Sequence, residues 1–320
     1  MIDFYSCKRA DWICSYHEYL KRKLVVIVYL SSYPRSGNFW LITIVANILG
    51  VLPVDIHLYY DKPVEMEEYS SSTYKSYGIQ VELFPALRPL RVDELRSLLV
   101  LYRHELSSHF HVGLKQGGLE SIVQRKAIRE ALAADEEVYF LKTHLLPYEK
   151  YFPGEKVVQI VRHPGASIWS YYLFLNRNFQ PRYSLKDVLT GSVPFRLFLN
   201  TNFQPRYSLE DVLTGRVPFG AWSDYHQKWL NAVSSLGNQY FRLSYEGLFG
   251  HEEDYGRKIG EWLGLPVLGK SVPSFSYFQS LSSHLVRKGD PDDWKLHFSD
   301  EQMTMLFETH GNTMKLLGYS

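Results

Sequence analysis

Four short segments of the chain are almost continuously apolar, and they constrain the fold more than any other feature of the sequence. They are LVVIVYL (24–30), VYFLKT (138–143), VVQIVR (157–162) and YFRLSYE (240–246). A strand with one face in water alternates polar and apolar residues, whereas continuous apolar runs of this length are typical of parallel strands covered on both faces. The sequence therefore predicts a central parallel sheet.

Longer segments with helical periodicity separate and follow these strands. We predict helices over Asn38 to Leu49, Val92 to Leu106, Leu119 to Ala134, Gly165 to Leu175, Ala221 to Ser235, Glu252 to Leu263 and Ser299 to Leu317, the last broken near Gly311. Such alternation favours a three-layer α/β fold, with the sheet flanked by helices. Residues 53–89 are rich in Tyr, Ser, Glu and Pro and have little periodicity, which predicts a long irregular segment that either forms a lid or faces the substrate.

The length of 320 residues suits one large α/β domain, which we assign to residues 24–320 after an N-terminal extension of residues 1–23. The net charge is +1, which gives no support for a nucleic-acid or membrane-surface partner, so any anion site must be local. The two cysteines, Cys7 and Cys14, match no disulfide framework or common metal motif and favour a reducing, cytoplasmic compartment. The apolar run 24–30 is far shorter than a membrane span.

One stretch of the chain occurs twice in tandem. LFLNRNFQPRYSLKDVLTGSVPF (173–195) recurs as LFLNTNFQPRYSLEDVLTGRVPF (197–219), at an offset of 24 residues. The copies differ at three positions, Arg177/Thr201, Lys186/Glu210 and Ser192/Arg216. Repeat architectures need about three or more copies to bury a core, so we interpret the pair as a local duplication. Which copy is the added one stays open.

The segment SSYPRSGNFW (31–40) is a predicted turn between the first strand and the first helix. Gly37 allows a close backbone approach to an anion, the helix N-terminus offers backbone N–H groups, and Arg35 can bind two phosphate oxygens. The Lys-[Ser/Thr] of an ATP-binding Walker loop is missing, because Asn38 follows the glycine. By itself the segment fits either an anion site or a helix that Ser36 and Asn38 cap.

Three further segments carry candidate functional residues. Lys142 and His144 stand at the end of one predicted strand, where ligands bind in open α/β sheets. Arg162 ends the next strand, and Ser170 follows on a predicted helix. A basic loop contains Arg287, Lys288 and Gly289. In isolation each segment also has an ordinary structural interpretation, as a buried histidine, a helix-entry arginine or a solvated basic surface.

Together these segments resemble the sulfotransferases that use 3′-phosphoadenosine 5′-phosphosulfate (PAPS). YPRSGNFW is similar to the family's 5′-phosphosulfate loop, Y-P-[KR]-S-G-[TN]-T-W, and VRHPGASIWSYYLF to its 3′-phosphate motif. LKTHLLP resembles the strand end that carries the family's catalytic histidine. RLSYEGL resembles the strand end whose tyrosine contacts adenine. VPFGAWSDYHQKW and VRKGDPDDWKLHF resemble two further family segments, and all six occur in the family's order.

The resemblance implies a role for each matched position. His144 is the implied general base, with Lys142 and Arg35 stabilising charge on the leaving side. The 3′-phosphate is assigned to Arg162, Ser170 and the 287–289 loop, and adenine to Trp40 by stacking and Tyr245 by a hydrogen bond. The implied PAPS contacts are Arg35, Ser36, Gly37, Asn38, Phe39, Trp40, Arg162, Ser170, Tyr245, Arg287, Lys288 and Gly289. No metal is implied, and the acceptor is a small molecule or carbohydrate with a hydroxyl or amine.

Several positions depart from the family pattern. Phe39 replaces a threonine that contacts the 5′-phosphate, and Asp292 replaces a glycine of the basic loop. The family's histidine after V-P-[YF]-G-S-W falls at Tyr225, with His226 next to it. The dimer motif K-x-x-x-T-V-x-x-x-E is degenerate as KLHFSDEQMT, so the oligomeric state stays open. Two alternative functions also stay open: a P-loop phosphotransferase, or a non-catalytic nucleotide-binding homologue.

Overall fold

The computed structural model describes residues 27–50, 53–55, 139–178, 207–267 and 289–320, together with 129, 271, 272, 274 and 276. The helices that we predict over 92–106 and 119–134 lie outside these ranges, Arg129 excepted. Most of the irregular segment 53–89, residues 179–206 of the duplication, and Arg287 and Lys288 also lie outside them.

The described elements follow the predicted alternation of strands and helices. The strands are β1 (Ile27–Ser31), β2 (Val54–Asp55), β3 (Tyr139–Thr143), β4 (Glu155–Val161) and β5 (Tyr240–Ser244). The helices are α1 (Asn38–Leu49), α2 (Pro164–Asn178), α3 (Leu209–Leu213), α4 (Trp222–Leu236), α5 (Glu252–Leu263) and α6 (Asp300–Leu317). Short 3₁₀ helices cover Gly237–Gln239, Glu246–Leu248 and Asp293–Leu296.

The five described strands form one parallel sheet in the order β2-β3-β1-β4-β5. Ser31 pairs with Thr143 at the end of β1 and β3, and Val161 pairs with Ser244 at the end of β4 and β5. The predicted α/β class, with a central parallel sheet flanked by helices, is therefore confirmed. The short strand β2 falls within the segment predicted to be irregular.

The chain divides into two compact units. The first comprises Met1–Ser32, Gly37–Val161 and Ala232–Gly289, and it contains the whole described sheet. Its core is built from the inner residues of the strands, most of α1, and Ile259 and Leu263 of α5. Helix α1 is apolar on nearly every side and almost completely buried, so it forms a large part of this core.

A buried ion pair lies at the start of β4 in the first unit. The guanidinium of Arg129 donates to both carboxylate oxygens of Glu155, at 2.8 and 2.6 Å, and to the carbonyl of Lys150. The hydroxyl of Tyr29 donates to the same carboxylate. The Tyr148 ring centroid is 3.8 Å from the guanidinium carbon. Each charged group therefore has a partner of opposite charge and further hydrogen bonds, which compensate for the burial of the two charges.

The second unit comprises Tyr33–Ser36, Arg162–Asn231 and Asp290–Ser320. In it α2 packs against α3, α6 and the 3₁₀ helix Asp293–Leu296. The imidazole of His163 stacks on the indole of Trp294, with ring centroids 4.8 Å apart. A second stack joins Trp169 to His297 at 4.4 Å. These ring contacts hold the segment around Trp294 against the start of α2.

Helix α6 corrects one prediction. It runs without interruption from Asp300 to Leu317, so the predicted break near Gly311 is wrong. A glycine costs a helix only about 1 kcal/mol relative to alanine. The buried side chains of Leu306, His310 and Met314 lie at helical spacing on both sides of Gly311 and hold the helix in place. Within the described ranges, no helix is long and apolar enough to cross a bilayer.

Candidate functional site

The turn that connects β1 to α1 is set by Gly37. This residue has φ 100° and precedes the first helical residue, Asn38. A Cβ atom at position 37 would lie 2.3 Å from the ring of Tyr245, so only glycine fits both the backbone conformation and the space. The first backbone bond within the helix runs from Leu41 N–H to the carbonyl of Gly37. The N–H groups before it form the positive end of the helix dipole, which suits an anion.

His144 lies directly after β3 and is oriented by the backbone of the neighbouring strand end. Its Nδ1 atom is 2.7 Å from the carbonyl oxygen of Ser32. A carbonyl oxygen only accepts hydrogen bonds, so this contact requires a proton on Nδ1. In the neutral imidazole, Nε2 then carries the lone pair. Because the ring is partly exposed, that nitrogen can serve as a proton acceptor.

Lys142 is the penultimate residue of β3 and pairs in register with Leu30 of β1. It is partly exposed, whereas its neighbours Leu141 and Thr143 are buried. Since alternate residues of a strand point to the same face, Lys142 and His144 leave β3 on one side of the sheet. A cation and an imidazole therefore occupy the same strand end.

An aromatic cluster adjoins the start of α1. The rings of Trp40 and Phe249 stack with centroids 6.4 Å apart, and Tyr245 contacts Phe249 edge-on at 5.3 Å. The structure thus joins the two positions assigned to adenine through a third ring, which sequence reasoning missed. The sequence carries a weak signal for it, because Phe249 directly follows the matched strand-end segment, four residues after Tyr245.

A group of polar residues in the second unit surrounds Arg35. The guanidinium Nε of Arg35 donates to the hydroxyl of Ser170 at 3.3 Å, and Arg162 Nη1 donates to the carbonyl of Arg35 at 3.2 Å. Arg162 and Ser170 are both buried. Two guanidinium groups and one hydroxyl therefore converge, which is a donor set suited to phosphate oxygens.

The backbone of Arg35 is strained. Its φ of 64° makes it the sole non-glycine residue with positive φ in the described ranges. This conformation costs a side-chain-bearing residue about 1–2 kcal/mol. The bond from Arg162 to the Arg35 carbonyl, and the contact of Ser36 Oγ with Ser167 Oγ at 3.0 Å, hold the turn in place. Strain of this kind persists where the surroundings fix it, and it is concentrated at functional sites.

His163 follows Arg162 and is held neutral. Its ring stacks on Trp294 and contacts Tyr319 edge-on. Burial, with a smaller contribution from the charge of Lys295, lowers the pKa of His163 to about 4. At neutral pH this imidazole therefore adds no charge beside Arg162.

The structure shows what the departures from the family pattern contact. The side chain of Phe39 packs against the apolar core of the first unit. The carboxylate of Asp292 pairs with Lys295 at 2.8 Å on an exposed surface. Gly289 has φ 72°. The two cations before it, Arg287 and Lys288, lie outside the described residues.

The segment VPFGAWSDYHQKW is joined to the turn through Tyr33. The hydroxyl of Tyr33 donates to the carbonyl of Gly220 at 2.9 Å, and its ring contacts Tyr171, Tyr225 and His226. Tyr225 and His226 are both buried in this cluster. In the second unit they therefore pack against the start of the turn.

The family model described as "Sulfotransferase domain" matches residues 27–318. The chain is 25% identical over 207 residues to Sulfotransferase 6B1 of Danio rerio, an alignment that covers 57% of this chain and 61% of that protein. The chain thus matches about three-fifths of the length of that curated relative.

Two solved structures align over most of the chain. Mouse sulfotransferase SULT7A1 complexed with PAP has a TM-score of 0.46 and 16% identity, with 90% of this chain and 84% of that chain covered. Retinol dehydratase in a complex with retinol and PAP has a TM-score of 0.46 and 17% identity, with 93% and 86% covered. The family model matches nearly the entire chain, from the first residue of β1 to the end of α6. The protein belongs to the sulfotransferase domain family.

Proposed function

We propose that the protein transfers a sulfuryl group from PAPS to a hydroxyl or amine of a small-molecule or carbohydrate acceptor. Membership of the sulfotransferase family supports sulfuryl transfer in general. The observation that carries the finer proposal is the bond between His144 Nδ1 and the Ser32 carbonyl, because it leaves Nε2 as the proton acceptor. We propose a cytoplasmic location for the protein as well.

His144 acts as the general base in this proposal. The acceptor oxygen or nitrogen attacks sulfur while its proton passes to Nε2 of His144. The bond from sulfur to the bridging oxygen of the 5′-phosphate breaks, and 3′-phosphoadenosine 5′-phosphate (PAP) leaves. A neutral imidazole is suited to this step at working pH. Lys142, at the same strand end, stabilises the charge that develops on the leaving phosphate.

Two groups of hydrogen-bond donors in the described ranges support the binding of the phosphates of PAPS. The backbone from Gly37 to Trp40 offers N–H groups at the start of α1 for the 5′-phosphosulfate. The group formed by Arg35, Arg162 and Ser170 offers charged and neutral donors for a phosphate. We assign the 3′-phosphate to Arg162 and Ser170, with Arg287, Lys288 and Gly289 of the basic loop. The positive charge of Arg35 stabilises the negative charge that develops on the leaving 5′-phosphate.

The aromatic cluster supports an assignment of adenine to the first unit. Trp40 and Tyr245 both contact Phe249, and a purine can stack on such rings. We propose that Trp40 stacks on adenine and that Tyr245 donates a hydrogen bond to it. The packing of Phe39 on the core means that backbone groups, rather than its side chain, serve the 5′-phosphate.

A His144→Ala variant tests the assignment of the base. We expect transfer to fall by about 10²–10⁴-fold, because one general base contributes that much. Affinity for PAP should change little, since the donor is assigned to other residues. The matched control is His251→Ala, because His251 is 65% exposed and lies outside the site. The measurement compares single-turnover transfer with PAP titration by calorimetry, and full turnover by His144→Ala would refute the base assignment.

Mass spectrometry of acceptor libraries incubated with PAPS identifies the acceptor class through a gain of one SO₃. A parallel reaction in EDTA distinguishes the proposal from a P-loop phosphotransferase, because such enzymes need Mg²⁺ to bridge phosphates and sulfuryl transfer does not. Binding of PAP without transfer to any acceptor would instead favour a non-catalytic homologue.

A further inference from the structure

The side-chain amide of Asn38 lies among three oxygen atoms at the ends of β1 and β3. Its Nδ2 atom is 3.1 Å from the carbonyl oxygen of Leu30, 3.3 Å from that of Thr143 and 3.0 Å from Ser32 Oγ. A primary amide has two N–H groups, so three acceptors share them. The side chain is 5% exposed. Asn38 therefore ties the ends of β1 and β3 to the first residue of α1.

Ser32 connects this amide to His144. The hydroxyl that accepts from Asn38 is 3.4 Å from His144 Nδ1, and the carbonyl of Ser32 is 2.7 Å from the same nitrogen. The backbone N–H of Ser32 donates to the carbonyl of Thr143 at 3.3 Å. Ser32 is therefore held through its N–H and its hydroxyl while its carbonyl orients the imidazole. A movement of Ser32 would displace the acceptor of the Nδ1 proton.

We propose that Asn38 and Ser32 are positioning residues that fix the tautomer and the orientation of His144. This inference rests on the proposed function, in which His144 is the base. The backbone N–H of Asn38 is one of the N–H groups at the start of α1 that are assigned to the 5′-phosphosulfate. Its side-chain amide instead donates to carbonyl oxygens at the strand ends. The amide acts on the reaction through Ser32, because its three contacts are with Leu30, Ser32 and Thr143. A small misplacement of a catalytic group is enough to reduce a rate strongly.

The test combines NMR with kinetics on the full chain. Imidazole ¹⁵N shifts, measured at about pH 8.5 and thus two units above the ordinary histidine pKa, report which nitrogen carries the proton. His144→Ala identifies the signals of His144. In the wild type we expect a proton on Nδ1. In Asn38→Ala we expect a mixture of both tautomers and a kcat lower by about 10–100-fold, with a smaller change in affinity for PAP.

Asn47→Ala is the matched control. Asn47 lies on the same helix, and its amide donates to the carbonyl of Thr43, away from the strand ends. We expect the wild-type tautomer and kcat in this variant. Ser32→Ala removes one oxygen atom and keeps the carbonyl, so a partial mixture of tautomers is expected. If Asn38→Ala does not fold, the tautomer of His144 in Ser32→Ala tests the inference instead.

Three results would overturn the inference: a proton on Nε2 in the wild type, wild-type tautomer and kcat in Asn38→Ala, or an unchanged tautomer in Ser32→Ala. A wild-type chain that transfers nothing from PAPS would instead refute the proposed function. The tautomer measurement needs no acceptor and no turnover, so the two failures are distinguishable.

Discussion

His310 is a fully buried histidine on α6, and it makes the stability of the fold depend on pH. The ring of Trp222 contacts it edge-on at 5.8 Å. Burial lowers the pKa of His310 to about 4. The folded chain therefore favours the neutral imidazole, while the unfolded chain binds a proton near the ordinary pKa of about 6.5. The contribution of His310 to stability is complete above that pH and is lost as the pH falls towards 4.

We expect His310 alone to reduce the free energy of unfolding by about 2 kcal/mol between pH 7.5 and pH 5. The reason is that unfolding then releases a buried neutral ring that takes up a proton. Urea denaturation at the two pH values measures the loss. His310→Gln should remove that part of the pH dependence, whatever its effect on absolute stability. An identical loss in the wild type and in His310→Gln would show that another group is responsible.

The residues of the candidate site differ in how far the sequence could identify them. Gly37, Arg35 and His144 stand in short motifs that resemble those of the sulfotransferase family, and that resemblance is what assigns them a chemistry. The contacts of Asn38 could not be read this way, because its partners Leu30 and Thr143 meet only when β1 and β3 pair. The bond from Arg35 to Ser170 likewise depends on the course of α2. Tertiary contacts of this kind leave no periodic signal.

Two glycines on different helices show how packing decides the effect of the same substitution. Gly165 lies in the first turn of α2, and a Cβ atom there would lie 2.4 Å from the indole of Trp294. Gly311 lies inside α6, where a Cβ atom would meet nothing within 4 Å. The first position has a steric reason for glycine, and the second has none in the described structure.

Gly165→Ala should lower the free energy of unfolding by about 1–3 kcal/mol, since the methyl group displaces Trp294 from α2. Gly311→Ala should raise it by about 0.5–1 kcal/mol, because alanine is the better helix former and the site is open. Urea denaturation of both variants beside the wild type measures these opposite shifts. Equal effects would contradict the packing around Trp294.

The elements that the sequence predicted are those with long, uniform patterns. The bounds of α1 and α5 agree with the predictions, and four apolar runs became strands of one sheet. Helix α3 was not predicted, because its five residues are too few to show a period. Its start is nevertheless encoded, since Ser208 and Asp211 form a capping box. Strand β2 has two residues and depends on pairing with β3.

At the scale of the whole chain, the duplication has a defined start and end in the structure. Asn176, near the end of α2, donates through Nδ2 to the carbonyl of Tyr207, where the described chain resumes. The described residues on either side of 179–206 therefore lie close together in the second unit. The end of the second copy forms α3, in which Glu210 accepts a hydrogen bond from Gln302 of α6 at 2.5 Å. Arg216 pairs with Asp211 at 2.8 Å.

Both of these contacts use positions at which the copies differ. The first copy has Lys186 in place of Glu210 and Ser192 in place of Arg216. A lysine cannot accept a hydrogen bond from the Gln302 amide, and a serine cannot form an ion pair with a carboxylate. We therefore expect that the second copy occupies the position of an ancestral single copy and that the first is the addition. Deleting 173–196 leaves the second copy alone, whereas deleting 196–219 leaves the first, so the two shortened chains are matched in length.

The variant without 173–196 should bind PAP with the affinity of the full chain, because Arg35, Arg162 and Ser170 lie outside the deletion. Helix α2 then continues from Leu197 with one change, Thr201 in place of Arg177. The variant without 196–219 should have a lower free energy of unfolding, by about 1 kcal/mol for the lost Glu210 contact. Loss of the ion pair between Arg216 and Asp211 lowers the free energy of unfolding further. Urea denaturation and PAP titration by calorimetry measure both effects. Loss of PAP binding on deletion of 173–196 would show that the added residues support the donor site. A higher free energy of unfolding in the chain without 196–219 than in the chain without 173–196 would assign the ancestral position to the first copy.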